Sequence, residues 1–125
     1  MDAPARGAVG LIGLGLLGSA LAARLDDAGF AVVGCDIDPA KSAAGERVAT
    51  AREVAARCRR IVVCVLTAEQ SAQALGSMGD ALAPGALVVD TTTGDPDAMA
   101  ALGEALAARG VGYVDAAIGG GSAQV

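Results

Sequence analysis

The stretch that decides the fold is VGLIGLGLLG, residues 9–18, where an apolar run breaks into three glycines at G-x-G-x-x-G spacing. An amphipathic pattern follows at once, with Leu17, Leu21 and Leu25 four residues apart and therefore on one helical face. Strand, tight glycine turn and helix are predicted in direct succession. This order is the opening of a βαβ unit.

Each glycine has its own physical task in such a turn. Gly13 lets the chain leave the strand at positive φ, Gly15 lets a pyrophosphate approach the backbone, and Gly18 allows close packing of helix on strand. The unpaired N–H groups at the helix start attract an anion. We therefore expect the whole turn to contact a dinucleotide cofactor, through Gly13, Leu14, Gly15, Leu16, Leu17 and Gly18.

An acidic residue at the end of the second apolar run completes the pattern. Residues 30–36 read FAVVGCD and end on Asp36, 23 residues after Gly13. A carboxylate at this place accepts hydrogen bonds from the adenosine ribose and repels the 2′-phosphate of NADP. Ile37 and Asp38 follow, with no arginine beside them. We therefore assign Asp36 and Ile37 to the cofactor site and expect NAD rather than NADP; a turn aspartate is the alternative interpretation.

Composition argues against several other classes of protein. The chain has 125 residues, 54% of them hydrophobic and 2% aromatic, which suits one domain with an aliphatic core. A net charge of −5 and the absence of a strong basic cluster argue against nucleic-acid binding. No apolar run is long enough to span a bilayer, and no signal peptide is expected. Because the chain has no histidine, we expect no metal site. We expect a cytoplasmic protein.

Strand and helix signals alternate along the whole chain, so we expect an α/β fold. It would be a single domain around a doubly wound, mostly parallel Rossmann sheet of about six strands. The helix at residues 67–82 is expected to break near residues 76–79. The predicted strands are residues 8–12, 30–36, 48–50, 61–66, 86–90 and 111–115, and the predicted helices are residues 16–28, 51–57, 67–82 and 96–109.

Residues after the fourth and fifth predicted strands extend the predicted cofactor site. Leu66 and Thr67 follow one strand, and Thr92 and Thr93 follow the next, at the carboxyl edge where ligands bind to parallel sheets. Ser71 lies on the helix after Thr67. We expect these residues to contact the cofactor, with the hydroxyls near the nicotinamide ribose; bonding to turn backbones is the alternative for the hydroxyls.

Four segments together resemble the β-hydroxyacid dehydrogenase family, which includes 3-hydroxyisobutyrate dehydrogenase, tartronate semialdehyde reductase and 6-phosphogluconate dehydrogenase. Residues 11–18 are similar to its G-L-G-x-M-G turn, with Leu17 for the methionine. Residues 62–67 resemble the strand and loop that pass the cofactor. Residues 89–93 resemble D-x-S-T, and DAAIGGG at 115–121 resembles D-A-P-V-S-G-G.

The resemblance implies an NAD-binding domain of an oxidoreductase that transfers a hydride between NAD and a small β-hydroxy acid. It also implies that Gly119, Gly120 and Gly121 contact the substrate carboxylate, although Gly119 stands where the family has serine. An all-helical domain with the dimer interface would follow, so we expect a truncated chain and a homo-oligomeric full-length protein.

The family uses a lysine as general acid/base, on a helix beyond the last of these motifs. Lys41 is the one lysine of the chain, and it is expected beside the adenosine end, as a surface charge or an adenosine contact. We therefore expect the catalytic lysine beyond Val125 and no activity from these 125 residues alone.

Two alternatives remain open. Residues 93–96 and 113–115 also resemble imine reductases, which usually prefer NADP. The second alternative belongs to another class of protein, a non-catalytic module that senses NAD(H).

Overall fold

Six strands and four helices lie within residues 7–118, which are the residues that the structure, a computed structural model, describes. A short 3₁₀ turn, Gly79–Ala81, follows the third helix. The elements are β1 Ala8–Ile12, α1 Leu16–Asp27, β2 Ala31–Cys35, β3 Glu46–Arg47, α2 Ala51–Arg57, β4 Arg60–Val63, α3 Ala68–Met78, β5 Leu87–Asp90, α4 Pro96–Ala107 and β6 Gly112–Asp115.

The strands form one sheet in the order β3-β2-β1-β4-β5-β6, and every neighbouring pair is parallel. The chain moves from β1 toward one edge and then returns past β1 to build the other half. Val9 consequently pairs with Val32 on one side and with Arg60 on the other. The predicted doubly wound parallel Rossmann sheet is confirmed. Its strand order reverses between β1 and β4, where sheets of this kind bind ligands.

Helices cover both faces of the sheet, as neighbouring residues of β4 illustrate. Ile61 and Val63 belong to the larger buried cluster, together with side chains of α2, α3 and α4. Val62 contacts the smaller cluster, which includes Ala22 of α1. Successive side chains of a strand point to opposite faces, so the first helix lies on one face and the other three lie on the opposite one.

The buried face of α1 consists of small residues. Gly18 and Ala22 are buried, whereas the leucines at 17, 21 and 25 are only partly buried. A Cβ at Gly18 would lie 2.0 Å from the carbonyl oxygen of Gly13. Small residues let this helix lie directly against the turn it follows, as predicted for Gly18.

Two predicted strands have wrong bounds, whereas a predicted helix break is found. The third strand is Glu46–Arg47, which pairs with Val33 and Gly34, rather than residues 48–50, because Thr50 caps α2 by accepting a hydrogen bond from the Glu53 N–H. The fourth strand ends at Val63, because the chain turns away to begin the next helix. The break expected near residues 76–79 is confirmed, because α3 ends at Met78 and the 3₁₀ turn begins at Gly79, whose φ of 55° suits glycine.

Candidate functional site

The glycine turn lies at the carboxyl edge of the sheet, between β1 and α1. Gly13 has a φ of 99°, and its N–H donates a 2.9 Å hydrogen bond to the Cys35 carbonyl at the end of β2. A Cβ on Gly13 would lie 2.0 Å from the Cys64 carbonyl oxygen, after β4. The turn is therefore packed between its two neighbouring strands and requires glycine for backbone reasons.

Gly15 differs from the other two glycines of the motif. Its φ is −72°, a value open to any residue, and a Cβ added to it would meet nothing within 4 Å. It is the N-cap of α1 and offers no side chain to the N–H groups of the first turn, which holds no acidic residue. These N–H groups have no acceptor within the helix, so the space at Gly15 faces an electropositive helix end.

Asp36 lies directly beside this turn. Its Oδ2 accepts a 2.7 Å hydrogen bond from the Leu14 N–H, and its Oδ1 accepts one of 2.8 Å from the Asp38 N–H. The side chain is only half-buried. An ionised carboxylate has about four acceptor positions, so both oxygens keep capacity for ligand hydroxyls.

Arg47 is a residue of this region that sequence reasoning missed. Its guanidinium donates to four backbone carbonyls, those of Asp36 (3.0 Å), Asp38 (3.2 Å), Lys41 (2.7 Å) and Val48 (3.1 Å). Arg47 lies eleven positions after Asp36 in the chain. No local sequence motif identifies an arginine whose side chain holds the carbonyls of a loop. Only the pairing of β2 with β3 brings the two residues together.

The hydroxyl residues after β4 and β5 form an internal network. Ser71 is fully buried and donates to the Thr92 hydroxyl at 3.2 Å, and that hydroxyl also accepts from the Val65 N–H at 3.2 Å. Thr67 caps α3 by accepting from the Gln70 N–H. Thr93 is exposed. Thr67 is exposed as well, so Thr67 and Thr93 are the accessible hydroxyls of the predicted set, while Ser71 and Thr92 hold the two loops together.

A buried carboxylate supports the second of these loops. Asp90 is fully buried at the end of β5; its Oδ1 accepts from the Thr92 N–H at 3.0 Å and its Oδ2 from the Tyr113 hydroxyl at 2.9 Å. Burial, together with the bond to Asp90, raises the pKa of the Tyr113 hydroxyl well above its usual range. Tyr113 thus stays a neutral donor. The sequence by itself did not predict this hydrogen bond to Asp90.

Exposed apolar side chains gather at the same edge. Leu16, Ile37 and Leu66 are 84%, 97% and 83% exposed, and each follows the carboxyl end of a different strand, β1, β2 or β4. All three were predicted to contact the cofactor. Large apolar side chains are costly to leave in water, so this edge suits a ligand with flat apolar surfaces.

Other predicted features lie elsewhere. Lys41 is exposed in the loop after β2, while Gly119, Gly120 and Gly121 lie outside the described residues. Within residues 7–118, no group of three histidine, cysteine or acidic residues is placed to hold a metal ion. No helix in that part of the chain has the length and apolar character needed to cross a membrane.

Comparisons with known proteins agree with this geometry. Residues 8–125 match the family described as the NAD binding domain of 6-phosphogluconate dehydrogenase. The chain is 37% identical to L-threonate dehydrogenase of Cupriavidus necator in an alignment 124 residues long, which covers 93% of this chain and 42% of the relative.

Solved structures share the fold. The 3-hydroxyisobutyrate dehydrogenase of Mycobacterium tuberculosis, with L-serine, has a TM-score of 0.85 at 25% identity, over 93% of this chain and 42% of that one. The imine reductase of Myxococcus stipitatus, in complex with NADP⁺, has a TM-score of 0.77 at 27% identity, over 85% and 39%.

The chain thus spans less than half the length of these relatives. The family match extends over nearly all of the sequence and agrees with the glycine turn, the helix N-terminus and the parallel sheet. It therefore identifies the domain. The chain belongs to the NAD-binding domain family of 6-phosphogluconate dehydrogenase, with L-threonate and 3-hydroxyisobutyrate dehydrogenases among its relatives.

Proposed function

We propose that this chain binds NAD along the carboxyl edge of its sheet. It would be the cofactor-binding part of an enzyme that transfers a hydride between NAD and a small β-hydroxy acid. The observation that carries the proposal is the open space at Gly15, where neither φ nor a neighbouring atom of the described chain requires a glycine. A pyrophosphate bound at the start of α1 supplies that requirement, because a side chain would hold it away from the backbone.

The cofactor would extend to both sides of the glycine turn. Asp36 and Ile37 would hold the adenosine half, and Leu66, Thr67 and Thr93 would line the nicotinamide half, with Ser71 and Thr92 supporting them from inside the fold. When bound, the nicotinamide supplies the hydride acceptor or donor. The chain's own residues hold the pyrophosphate on backbone N–H groups and orient the ribose rings.

Preference for NAD over NADP is the finer part of the proposal. The negative charge of Asp36 opposes a 2′-phosphate beside it. The nearby Arg47 has four of its five N–H donors on backbone carbonyls, so it is poorly placed to bind a phosphate with its planar fork.

The substrate class rests on the relatives named above, a dehydrogenase of L-threonate and one of 3-hydroxyisobutyrate. We propose that Gly119, Gly120 and Gly121 contact the substrate carboxylate. A lysine beyond Val125 would act as general acid/base, and a helical domain there would form a homo-oligomer, so that these residues alone would be inactive. The three free cysteines support a reducing compartment such as the cytoplasm.

One experiment tests the proposal directly. The 125-residue chain is titrated with NADH, and binding is followed by nicotinamide fluorescence, with Gly15→Ala and Gly76→Ala as a matched pair. Both glycines have open space at the Cβ position, so both variants should fold. We expect micromolar binding by the unmutated chain and by Gly76→Ala, and an affinity lowered about tenfold or more in Gly15→Ala. Equal affinity in all three, or no NADH binding by the unmutated chain, would overturn the assignment.

An imine reductase-like enzyme that uses NADP is a second candidate. The observation that favours it is the shared fold with the Myxococcus stipitatus imine reductase, which was solved with NADP⁺. Titration with NADPH beside NADH separates the two, since this candidate requires the tighter binding to be that of NADPH.

A further inference from the structure

The connection between β2 and β3 is unusual for a parallel pair of strands. Parallel neighbours are ordinarily joined by a crossover of a dozen or more residues, usually a helix. Here residues 36–45, the β2–β3 loop, contain no helix. Yet the loop begins with Asp36 and Ile37, the two residues proposed for the adenosine half of the cofactor. Its conformation therefore decides how well that half of the site is ordered.

Short-range bonds order only the first part of this loop. The Asp36 carboxylate accepts from the Asp38 N–H, and the Asp38 carboxylate accepts from the Ala40 N–H at 2.9 Å. The Lys41 N–H then donates to the Asp38 carbonyl at 3.1 Å. These are local turns on an exposed surface, each of modest net stability. None of them joins the loop to the sheet.

Arg47 supplies that connection. It belongs to β3, which is held against β2, and its side chain is partly buried. One guanidinium donates to the carbonyls of Asp36, Asp38 and Lys41, which span the first six residues of the loop. A planar group with five donors can hold several acceptors in one geometry, and a lysine ammonium lacks that fork. Bonds from a charged donor are also the stronger ones.

The same side chain acts on the glycine turn through Asp36. Arg47 Nη2 holds the Asp36 carbonyl at 3.0 Å, and the Asp36 carboxylate holds the Leu14 N–H at 2.7 Å. Guanidinium, acidic residue and turn therefore form one continuous chain of hydrogen bonds. Movement of the β2–β3 loop would shift the carboxylate relative to the N-terminus of α1.

We propose that Arg47 is a positioning residue for the adenosine half of the site: by holding the carbonyls of the β2–β3 loop, it sets the place of the Asp36 carboxylate in a chain that lacks a helix there. The proposal rests on the proposed dinucleotide function. In this proposal Arg47 acts on the cofactor through Asp36, so its effect should depend on the presence of Asp36.

A double-mutant cycle tests this dependence. Dissociation constants for NADH are measured for the unmutated chain, Arg47→Met, Asp36→Ala and the double variant. We expect Arg47→Met to raise the dissociation constant about tenfold in the unmutated background but no more than about twofold beside Asp36→Ala, since effects of residues that act through one another are non-additive. Met replaces the aliphatic stem of Arg with an unbranched apolar chain and removes all five donors.

Arg57→Met is the matched control. Arg57 forms an exposed ion pair with Glu46, the neighbour of Arg47 in β3. Within residues 7–118, its side-chain hydrogen bonds go to Glu46 and not to the β2–β3 loop. This variant should leave NADH affinity within about twofold, as exposed ion pairs contribute little. Thermal unfolding of each variant shows whether it is folded at the titration temperature.

Three results would overturn the inference. One is unchanged NADH affinity in Arg47→Met. Another is an equal loss in both backgrounds, which would make the role of Arg47 independent of Asp36. If Arg47→Met does not fold, Arg47→Lys carries the same cycle: it keeps charge and stem but cannot span the carbonyls, so full NADH affinity in it would contradict the proposal. Failure of the unmutated chain to bind NADH would instead remove the proposed function, and this inference with it.

Discussion

The Oδ2 oxygen of Asp36 accepts a hydrogen bond of 2.7 Å from the backbone N–H of Leu14. The bond joins the end of β2 to the glycine turn between β1 and α1, across 22 positions of the chain. The acidic residue and the phosphate-binding turn therefore hold one another in place before any ligand is present. Ordering of both groups in advance lowers the entropic cost of binding.

Replacing Asp36 separates its charge from its hydrogen bond. Asp36→Asn keeps an oxygen that can accept from Leu14 but removes the negative charge, so we expect NADPH affinity to rise toward that of NADH. Asp36→Ala removes both properties, and NADH affinity should also fall by about tenfold, as for loss of a charged acceptor. Fluorescence titration with both cofactors measures these changes. Asp97→Ala, an exposed acid in the first turn of α4, is the control, and an unchanged NADH-to-NADPH ratio in both Asp36 variants would contradict the assignment.

Two helical glycines should respond in opposite directions to alanine. A Cβ at Gly18 would lie 2.0 Å from the Gly13 carbonyl oxygen, whereas one at Gly76 meets nothing within 4 Å. We expect Gly18→Ala to lower the free energy of unfolding by about 1–3 kcal/mol or more, as overpacking does. Gly76→Ala should raise it by about 0.5–1 kcal/mol, because alanine is the better helix former. Urea denaturation gives both values, and a stable Gly18→Ala variant would show that the turn can relax.

Removing the Tyr113 hydroxyl should destabilise the fold. Phenylalanine keeps the ring but leaves the buried Asp90 carboxylate with one donor fewer, which costs about 1–3 kcal/mol for a buried polar group. The denaturation midpoint of Tyr113→Phe reports this loss. Ser77→Ala, which deletes an exposed hydroxyl bonded to the Ala74 carbonyl, should change it little. Equal midpoints for the two variants would mean that Asp90 finds another donor.

Stability should also fall at alkaline pH because of a buried thiol. Burial raises the pKa of Cys35 from 9.0 to about 11, so the unfolded chain loses this proton at a lower pH than the folded one. The stabilising contribution is complete below pH 9 and is lost progressively as the pH rises toward 11, on the order of 2–3 kcal/mol. Denaturation curves at several pH values measure the decline. Cys35→Ala should show a shallower decline; an identical slope would contradict this origin.

Local patterns account for much of what could be predicted. The order strand, glycine turn and helix and the acid at the end of the second apolar run depend on residues close together in sequence. Backbone φ, helix caps and apolar periodicity act over a few residues. For that reason the parallel sheet was predictable, and the glycine turn and Asp36 could be named as a candidate site.

Predictions failed where distant residues compete. Residues 48–50 have the composition of a strand, but pairing with β2 takes Glu46–Arg47 instead, and Thr50 caps a helix. Likewise Ser71 and Thr92 read as ligand contacts, yet each is buried against the other. Strand register and the pairing of hydroxyls depend on which residues the fold brings close together. Secondary-structure propensity reflects neighbouring residues only, so it does not contain this information.

The sequence by itself determined the class of fold, the glycine turn and the acid beside it, because steric and hydrogen-bonding rules act along neighbouring residues. Separate tasks for the three glycines were also predicted, and in the structure a Cβ at Gly13 or Gly18 would meet backbone atoms while one at Gly15 would face open space. Only the tertiary structure decided that Arg47 holds the loop of Asp36, and that Tyr113 donates to Asp90. These relationships join residues far apart in the chain, and they exist only once the parallel sheet has placed its strands side by side.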